Sequence, residues 1–226
     1  MANPCMDTIG CDWIEKYPPI REPFRLKTYL IMKRLFDLSV VLVSAPFWLP
    51  IILLIAVAMK ITEPDSPVFF FQLRTGKGGR RFKMYKFRTM VKNAEELKKK
   101  YMHLNELTWP DFKITNDPRI TKIGRILRKT SLDELPQVIN ILLGDMSLVG
   151  PRPTSFSADT YRLWQTERLD VTPGITGLWQ ITGRGKSEFN ERLRIDIAYI
   201  ERRCFMMDLE ILVRTFTSVL QQRGAV

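Results

Sequence analysis

RILRKTSLDELPQVINILLGDMSLVGPRP, residues 125–153, is the stretch from which the fold and chemistry of this chain can be inferred. It places adjacent carboxylates, Asp133 and Glu134, at a predicted helix start. Basic residues lie on both sides of this acidic pair: Arg125, Arg128 and Lys129 before it and Arg152 after it. A helix N-terminus has free N–H groups and the positive end of the helix dipole, so anions bind there. Basic side chains beside ionised acids are suited to a phosphate and its divalent metal.

The same residues also fit a helix cap. Ser131 and Glu134 have the spacing of a capping box, in which the Glu134 side chain accepts from the Ser131 N–H. If Ser131 is the cap, the ring of Pro136 crowds the preceding turn. If Asp133 is the cap, Pro136 costs no intrahelical hydrogen bond. The pattern predicts a helix over residues 132–143, ended by Gly144, and leaves Asp133 open between capping and chemistry.

Three motifs in and after this stretch resemble the bacterial sugar transferase family, the monotopic phosphoglycosyl transferases. They are TSLDELPQ at residues 130–137, GDMSLVGPRP at 144–153 and TPGITGLWQITGRG at 172–185. The order and spacing match from about residue 33 to residue 224. The family transfers a sugar phosphate onto a polyprenyl phosphate.

The resemblance implies an enzyme that moves a phospho-sugar from a UDP-sugar to undecaprenyl phosphate. The products are the polyprenyl diphosphate sugar and UMP, in the first membrane step of glycoconjugate or exopolysaccharide assembly. It implies that Asp133 is the nucleophile and forms a covalent aspartyl phospho-sugar intermediate, with Glu134 as the second catalytic residue. It also implies that Mg²⁺, with Asp133 as its ligand, neutralises charge that would repel the nucleophile.

The resemblance also assigns substrate-binding residues. Those expected to bind phosphates are Lys86 and Arg88 from KFRTM, Arg128, Arg152 and Arg184. Asp196 matches a family acid, and its role is open between structure and nucleotide binding. The residues themselves support Arg152, because the flanking prolines limit the arc of its guanidinium. A simple surface turn is the alternative.

Composition limits the classes of function. The chain has 226 residues and a net charge of +11, from 35 basic and 24 acidic residues. Such a surface suits phosphorylated substrates, anionic lipid or nucleic acid. The three cysteines lack zinc or CxxC spacing, which indicates a reducing compartment. His103 is the only histidine, so a histidine-based triad or metal cluster is not expected.

One apolar segment, residues 38–59, contains no charged residue. As a straight helix it would span roughly 33 Å, enough to cross a bilayer core of about 30 Å. Pro46 and Pro50 near its middle favour a kink. Basic residues flank both ends, Lys33 and Arg34 before and Lys60 after, and positive flanks prefer the cytoplasm. A bent helix that enters and leaves one leaflet satisfies both features.

The resemblance implies this re-entrant hairpin, usually broken at a Ser-Pro pair. Here the aligned pair is Leu49-Pro50, and Ser44 with Pro46 offers an alternative bend. We therefore expect three parts: an N-terminal extension (1–32), a re-entrant membrane helix (33–62) and a cytoplasmic catalytic domain (63–226). The expected location is the cytoplasmic face of the bacterial inner membrane, in contact with membrane lipid.

The predicted fold is mostly α-helical with a small β-hairpin, a re-entrant helix-hairpin and amphipathic interfacial helices, and not a Rossmann sheet. The hairpin strands are residues 68–73 and 81–87, joined by a glycine-rich turn that lacks the phosphate-loop pattern. Helices are expected at 93–107, 187–202 and 208–221. A basic amphipathic helix at 120–128 lies either on the membrane surface or against the core. Residues 205–207 are candidates for insertion into the interface.

Two other classes of function are possible from the sequence. A membrane-anchored binder of nucleic acid or anionic lipid would show salt-sensitive binding that does not depend on Asp133. A structural subunit of a polysaccharide export complex would have a decayed site, against which the retained Asp133, Glu134, Arg152 and Arg184 argue. We expect no nucleic-acid partner, and the sequence leaves open the sugar and whether the chain forms a homo-oligomer.

Overall fold

The computed structural model describes residues 12–20, 23–106, 112, 114–182 and 189–220. The helices are α1 Pro23–Val43, α2 Ala45–Thr62, α3 Ala94–Lys100, α4 Lys122–Lys129, α5 Gln137–Leu143, α6 Leu178–Thr182, α7 Phe189–Arg202 and α8 Phe205–Leu220. The strands are β1 Phe69–Thr75, β2 Arg81–Phe87, β3 Ser147–Val149 and β4 Gly174–Thr176. Short 3₁₀ turns include Asp12–Lys16, Leu132–Glu134 and Leu163–Asp170. The described chain is mostly helical, as the sequence predicts, and contains two small sheets.

The predicted β-hairpin is confirmed. β1 and β2 pair antiparallel, with Phe70 opposite Lys86 and Arg74 opposite Phe82. Gly78 and Gly79 in the turn have φ values of 64° and 77°, which glycine adopts without a Cβ penalty. The glycine cluster therefore forms the hairpin turn that the sequence indicates.

A second sheet, which the sequence does not predict, joins β3 to β4 in parallel. Its register pairs Val149 with Thr176, and Gly150 N donates to Thr176 O at 2.9 Å just beyond the strand. A Cβ on Gly174 would lie 2.1 Å from Gly150 N, so the close approach of the two backbones requires glycine. This pairing fixes the backbone immediately before Arg152.

The apolar segment is broken at Ser44, between α1 and α2. Pro46 lies in the first turn of α2, where a missing N–H costs nothing, and Pro50 lies inside the helix. Ser44 Oγ donates to Val40 O at 2.6 Å and Trp48 Nε1 to Val41 O at 2.9 Å, so side chains satisfy carbonyls at the break. The bend thus occurs at the alternative position and not at Leu49-Pro50.

Helix α2 is the one described helix that is long and apolar enough to cross a membrane, by length and composition. Its mean hydropathy is 1.9, and only 6% of the helix is buried inside the protein. One side of the helix nevertheless packs on the globular body along its length, through Trp48, Ile52, Ile55 and Met59. The other sides of α2 present apolar side chains outward.

Helix α1 is anchored to the same body by buried polar contacts. Lys33 Nζ lies 2.7 Å from Asp208 Oδ2 in α8. Ser147 Oγ at the start of β3 donates to Asp37 Oδ2 at 2.7 Å. Val41, close to the break, is also buried in a core cluster with Phe82 and Met84, so α1 contacts the same globular unit as α2 from its middle to its C-terminal end.

The main core lies where α6, α7 and α8 pack on the second sheet. Its buried members are Ile14, Val149, Val171, Leu178, Ile195, Ala198, Tyr199, Ile200, Met207 and Ile211. Ile14 belongs to the N-terminal extension, so residues 12–20 are an integral part of the packed body. Met207 is fully buried, which contradicts its expected insertion into the membrane interface, whereas the neighbouring Met206 is 63% exposed.

Helix α4 has one buried and one exposed apolar side. Leu127 is 3% exposed and packs with Met59, whereas Ile126 is 63% exposed. The side of α4 that carries Leu127 packs against the core, which confirms the core interpretation for that side. Contact of the Ile126 side with a membrane stays a prediction.

Candidate active site

The acidic pair lies on a 3₁₀ turn and not on the expected α-helix. This turn spans Leu132–Glu134, and α5 begins only at Gln137, after Pro136. Ser131 adopts a left-handed conformation with a φ of 58° and makes no side-chain capping hydrogen bond. The capping-box interpretation is therefore wrong, because the Glu134 carboxylate is bound by basic side chains from other elements.

Glu134 is held by two basic residues. Arg152 Nη1 donates to Glu134 Oε2 at 3.0 Å, and Arg152 Nη2 contacts Oε1. Lys86 Nζ donates to the same Oε1 at 2.7 Å. Burial alone would raise the pKa of Glu134, but the charges of Arg152 and Lys86 hold it well below its usual range. Arg152 and Lys86 therefore stabilise the ionised form of Glu134, and Glu134 orients both cations.

Asp133 is held much less tightly. Its Oδ2 lies 3.9 Å from Lys86 Nζ, beyond hydrogen-bond distance, and its side chain is 14% exposed. Within the described residues, none donates a hydrogen bond to the Asp133 carboxylate at the distances recorded for Glu134. Burial raises the pKa of Asp133, Lys86 opposes that rise, and Glu134 adds to it. Asp133 is thus a partly shielded carboxylate beside cations and free to meet a ligand.

Helix α4 places Arg128 near the acidic pair. Its Nε donates to Thr89 Oγ1 at 2.9 Å. Burial lowers the pKa of Arg128, and the negative charge of Asp133 counteracts this. Gly124 permits the placement, because a Cβ there would lie 2.2 Å from Thr89 O. Arg128 therefore belongs to the electrostatic surroundings of Asp133.

Arg88 has a different set of partners, although it shares a motif with Lys86. Its Nη2 donates to Glu63 Oε2 at 2.8 Å, directly after α2. Its Nε donates to Pro67 O at 2.6 Å, and the side chain is 8% exposed. Arg88 ties the segment after α2 to the hairpin, and its expected phosphate contact stays a prediction.

Asp196 lies behind the site and meets it through another arginine. Arg168 Nη2 lies 2.8 Å from Asp196 Oδ2 and 2.6 Å from the backbone oxygen of Arg152. Burial raises the pKa of Asp196 to about 6, with Arg168 opposing the rise. Of the two roles left open for Asp196, its contacts support the structural one. Arg184 lies outside the described residues, so its predicted role stays a prediction.

Two arginines near the site were missed by the sequence reasoning. Arg74 on β1 interacts electrostatically with Arg152 and Glu134. Burial and the positive charge of the nearby Arg152 lower the pKa of Arg74 to about 10. Alternate residues of a strand share a face, so Arg74 lies on the same face of β1 as Phe70, the residue that pairs with Lys86. This alternation was the sequence signal for Arg74. Arg168 carried no comparable sequence signal, because its partners are distant in the chain.

The residues present fit a Mg²⁺ ion that is held mainly by substrate. Among the described residues there is no group of three or more His, Cys, Asp or Glu side chains able to enclose a metal. Asp133 offers a carboxylate without a competing hydrogen bond, whereas the oxygens of Glu134 are engaged by Arg152 and Lys86. Mg²⁺ is commonly bound by one or two carboxylates with substrate phosphates, so a single ligand, Asp133, is sufficient.

A family model described as bacterial sugar transferase matches residues 28–222. The match covers α1 from residue 28 onward, all of α2, the hairpin and the acidic turn. The chain therefore belongs to the bacterial sugar transferase family.

Three relatives illustrate the range of the family. The chain is 43% identical to the galactosyl transferase CpsE of Streptococcus agalactiae, over 88% of this chain and 44% of that protein. It is 38% identical to the exopolysaccharide production protein ExoY of Rhizobium meliloti, over 85% and 87%. It is 38% identical to the UDP-glucose:undecaprenyl-phosphate glucose-1-phosphate transferase of Xanthomonas campestris, over 87% and 40%. The chain spans less than half the length of the first and third relatives.

Proposed function

We propose that the protein is a phosphoglycosyl transferase that moves a phospho-sugar from a UDP-sugar to undecaprenyl phosphate. The products would be the polyprenyl diphosphate sugar and UMP, at the first membrane step of exopolysaccharide or glycoconjugate assembly. Family membership supports sugar transfer, and the activity for which the Xanthomonas relative is named supports this donor and acceptor class.

The observation that carries the proposal is the contrast between the two acids. Glu134 is bound by Arg152 and Lys86, whereas Asp133 stands beside the same lysine at 3.9 Å. A nucleophile needs a lone pair that is not committed to strong hydrogen bonds and a position close to cations that bind its anionic target. Asp133 meets both conditions, and Glu134 meets only the second.

The reaction is a double displacement at phosphorus. A carboxylate oxygen of Asp133 attacks the phosphorus next to the sugar, and the bond to UMP breaks with its electron pair leaving on UMP. An oxygen of the lipid phosphate then attacks the resulting acyl phosphate and restores the Asp133 carboxylate. Arg152, Lys86 and Arg128 would hold the phosphate oxygens, while Glu134 keeps Arg152 and Lys86 in place. Mg²⁺, when bound at Asp133, would supply neutralisation of the diphosphate charge.

The proposed location is the cytoplasmic face of the inner membrane, with α1 and α2 entering and leaving one leaflet. The apolar, outward-facing side of α2 and the contacts of α1 and α2 with one globular body support this topology. It brings the acidic turn near the membrane surface, because Leu132 packs in the same cluster as Met59 of α2. A lipid phosphate could then reach Asp133 without leaving its bilayer.

Release of UMP over a panel of UDP-sugars tests the function. The full chain in nanodiscs would be given undecaprenyl phosphate, Mg²⁺ and each UDP-sugar, with the matching GDP-sugars as controls. We expect UMP and a lipid-linked sugar from at least one UDP-sugar. Absence of both products with every donor, together with salt-sensitive binding of nucleic acid that survives Asp133→Asn, would favour the binding-protein alternative.

A further inference from the structure

We propose that Arg168 is a positioning residue that aims the Arg152 guanidinium by holding the Arg152 backbone. The inference rests on the proposed function. Arg168 Nη2 donates to Arg152 O at 2.6 Å and to Asp196 Oδ2 at 2.8 Å. These contacts form a continuous chain from α7 through Arg168 and Arg152 to Glu134 in the acidic turn.

The loop that carries Arg152 is held at several points: beyond Arg152, Thr75 N donates to Thr154 O at 2.9 Å, and two further contacts flank Arg152 itself. On one side, Gly174 N donates to Pro151 O at 3.0 Å, next to the parallel pairing of β3 and β4. On the other side stands Arg168, the donor recorded for the carbonyl of Arg152 itself. An arginine side chain has many rotamers, so a fixed backbone decides where its guanidinium can reach. Loss of Arg168 would release the carbonyl of Arg152 itself, while the contacts at Pro151 and Thr154 remain.

Burial argues that this pair serves geometry more than stability. The side chains of Arg168 and Asp196 are 5% and 2% exposed. Taking both charges out of water is costly, and apolar replacements of such pairs are often neutral or stabilising. The Arg168 guanidinium does something an apolar residue cannot, because the same nitrogen also binds the Arg152 carbonyl. Asp196 holds the Arg168 guanidinium in place, and Arg168 holds the loop that carries Arg152.

A double-variant cycle separates positioning from general destabilisation. The variants are Arg168→Gln, Arg152→Ala and their combination, in the full chain with UDP-sugar, undecaprenyl phosphate and Mg²⁺. We expect Arg168→Gln to lower transfer about tenfold to a hundredfold, as misplacement of an essential group does. We also expect the same division of the loss between kcat and KM as in Arg152→Ala. In the Arg152→Ala background, adding Arg168→Gln should lower transfer by less than about threefold, because the guanidinium that Arg168 positions is already absent.

Two further variants keep the test decisive if Arg168→Gln fails to fold. Asp196→Asn keeps the shape and a hydrogen-bond acceptor, and Arg168→Lys keeps the charge. Each should lower transfer in the otherwise unmodified protein and should lose that effect in the Arg152→Ala background. The matched control is Arg119→Gln, which breaks a comparably buried pair with Asp117. Any effect of that control on transfer should be as large with Arg152→Ala as without it.

The outcomes distinguish the inference from the proposed function. If the losses from Arg168→Gln and Arg152→Ala multiply as they do for the Arg119→Gln control, Arg168 is only a structural residue and the inference is overturned. If Arg152→Ala leaves transfer unchanged, the role of Arg152 in the proposed site fails first. If the unmodified protein forms no lipid-linked sugar, the proposed function itself fails.

Discussion

Arg152 contacts Glu134 through both of its terminal nitrogens, one to each carboxylate oxygen, and Lys86 binds one of the same two oxygens. Two-nitrogen contacts of this kind fix the relative orientation of arginine and carboxylate. This arrangement also determines the surroundings of the neighbouring acid, Asp133. Asp133 sits within the field of the same cations, at 3.9 Å from Lys86 Nζ, while remaining available to a ligand. The two acids differ in role because of what lies around them.

Lys86→Gln and Arg88→Gln should separate site chemistry from anchoring, although both residues come from KFRTM. Lys86 contacts the acidic pair, so its loss should lower transfer strongly with a small change in thermal stability. Arg88 is buried against Glu63 and Pro67 O, so its loss should cost about 1–3 kcal/mol by leaving the Pro67 carbonyl without its donor. Thermal denaturation and UMP release on the same preparations check this. A stable Arg88→Gln protein with lost transfer would restore the predicted phosphate role.

Gly124→Ala should displace Arg128. A Cβ at position 124 would lie 2.2 Å from Thr89 O, so α4 must move, at a cost of about 1–3 kcal/mol. The shift would also disturb the contact between Arg128 and the Thr89 side chain and lower transfer. The control is Ile126→Ala at an exposed position of the same helix, which should change stability by less than about 0.5 kcal/mol. Equal stability of the two variants would contradict the tight packing of α4.

The N-terminal extension should be held to α8 in a pH-dependent way through Glu210. Burial would raise the pKa of Glu210, but hydrogen bonds from Lys16, Tyr17 and Arg214 lower it from 4.5 to about 2. A depressed pKa contributes stability that is present above the unfolded pKa and lost as pH falls through the folded one. Glu210→Gln should therefore cost about 1–2 kcal/mol at pH 7.

Thermal denaturation across pH checks that expectation. The difference between the unmodified protein and Glu210→Gln should shrink between about pH 4.5 and pH 2, the window set by the two pKa values. Glu201→Gln, at an exposed acid on α7, should show a smaller difference at pH 7. A Glu210→Gln difference that stays constant down to pH 2 would contradict the ionic anchoring of the extension.

Cysteine labelling should place both ends of the α1–α2 hairpin on one side of the membrane. Single cysteines at exposed Lys27 and Lys77, in a chain whose native cysteines are replaced by serine, should react with an impermeant reagent from the cytoplasmic side. Phe47→Cys, near the bend and 74% exposed in the protein, should be shielded by lipid from both sides. Labelling of positions 27 and 77 from opposite sides would mean a spanning helix.

The fold features that depend on local pattern were predictable from sequence. Alternating aromatic and branched residues with a glycine turn gave the hairpin, and 3.6-residue periodicity gave α7 and α8. The parallel pair β3–β4 was missed, because strands of three residues carry no readable alternation and their pairing is set by distant backbone contacts. The break between α1 and α2 lies at Ser44 and not at Leu49-Pro50, because Pro46 is tolerated in the first turn of α2.

The site was predictable where motifs carry it and unpredictable where tertiary contacts do. Asp133, Glu134, Lys86 and Arg152 are brought together as the motifs indicate. The sequence could not show that Arg88 turns toward Glu63, or that Arg168 reaches the Arg152 backbone, because an arginine can serve any acceptor that the fold brings near. Which guanidinium faces substrate is decided by packing.

Mass spectrometry of the enzyme after treatment with UDP-sugar and Mg²⁺, without lipid acceptor, tests the central claim most directly. We predict one covalent phospho-sugar on the peptide that contains Asp133, with one UMP released per enzyme. Asp133→Asn should fold, since asparagine suits this turn as well as aspartate, and should carry no adduct. Addition of undecaprenyl phosphate should remove the adduct from the unmodified protein and yield the lipid-linked sugar. An adduct that persists in Asp133→Asn, or that maps to Glu134, would contradict the account.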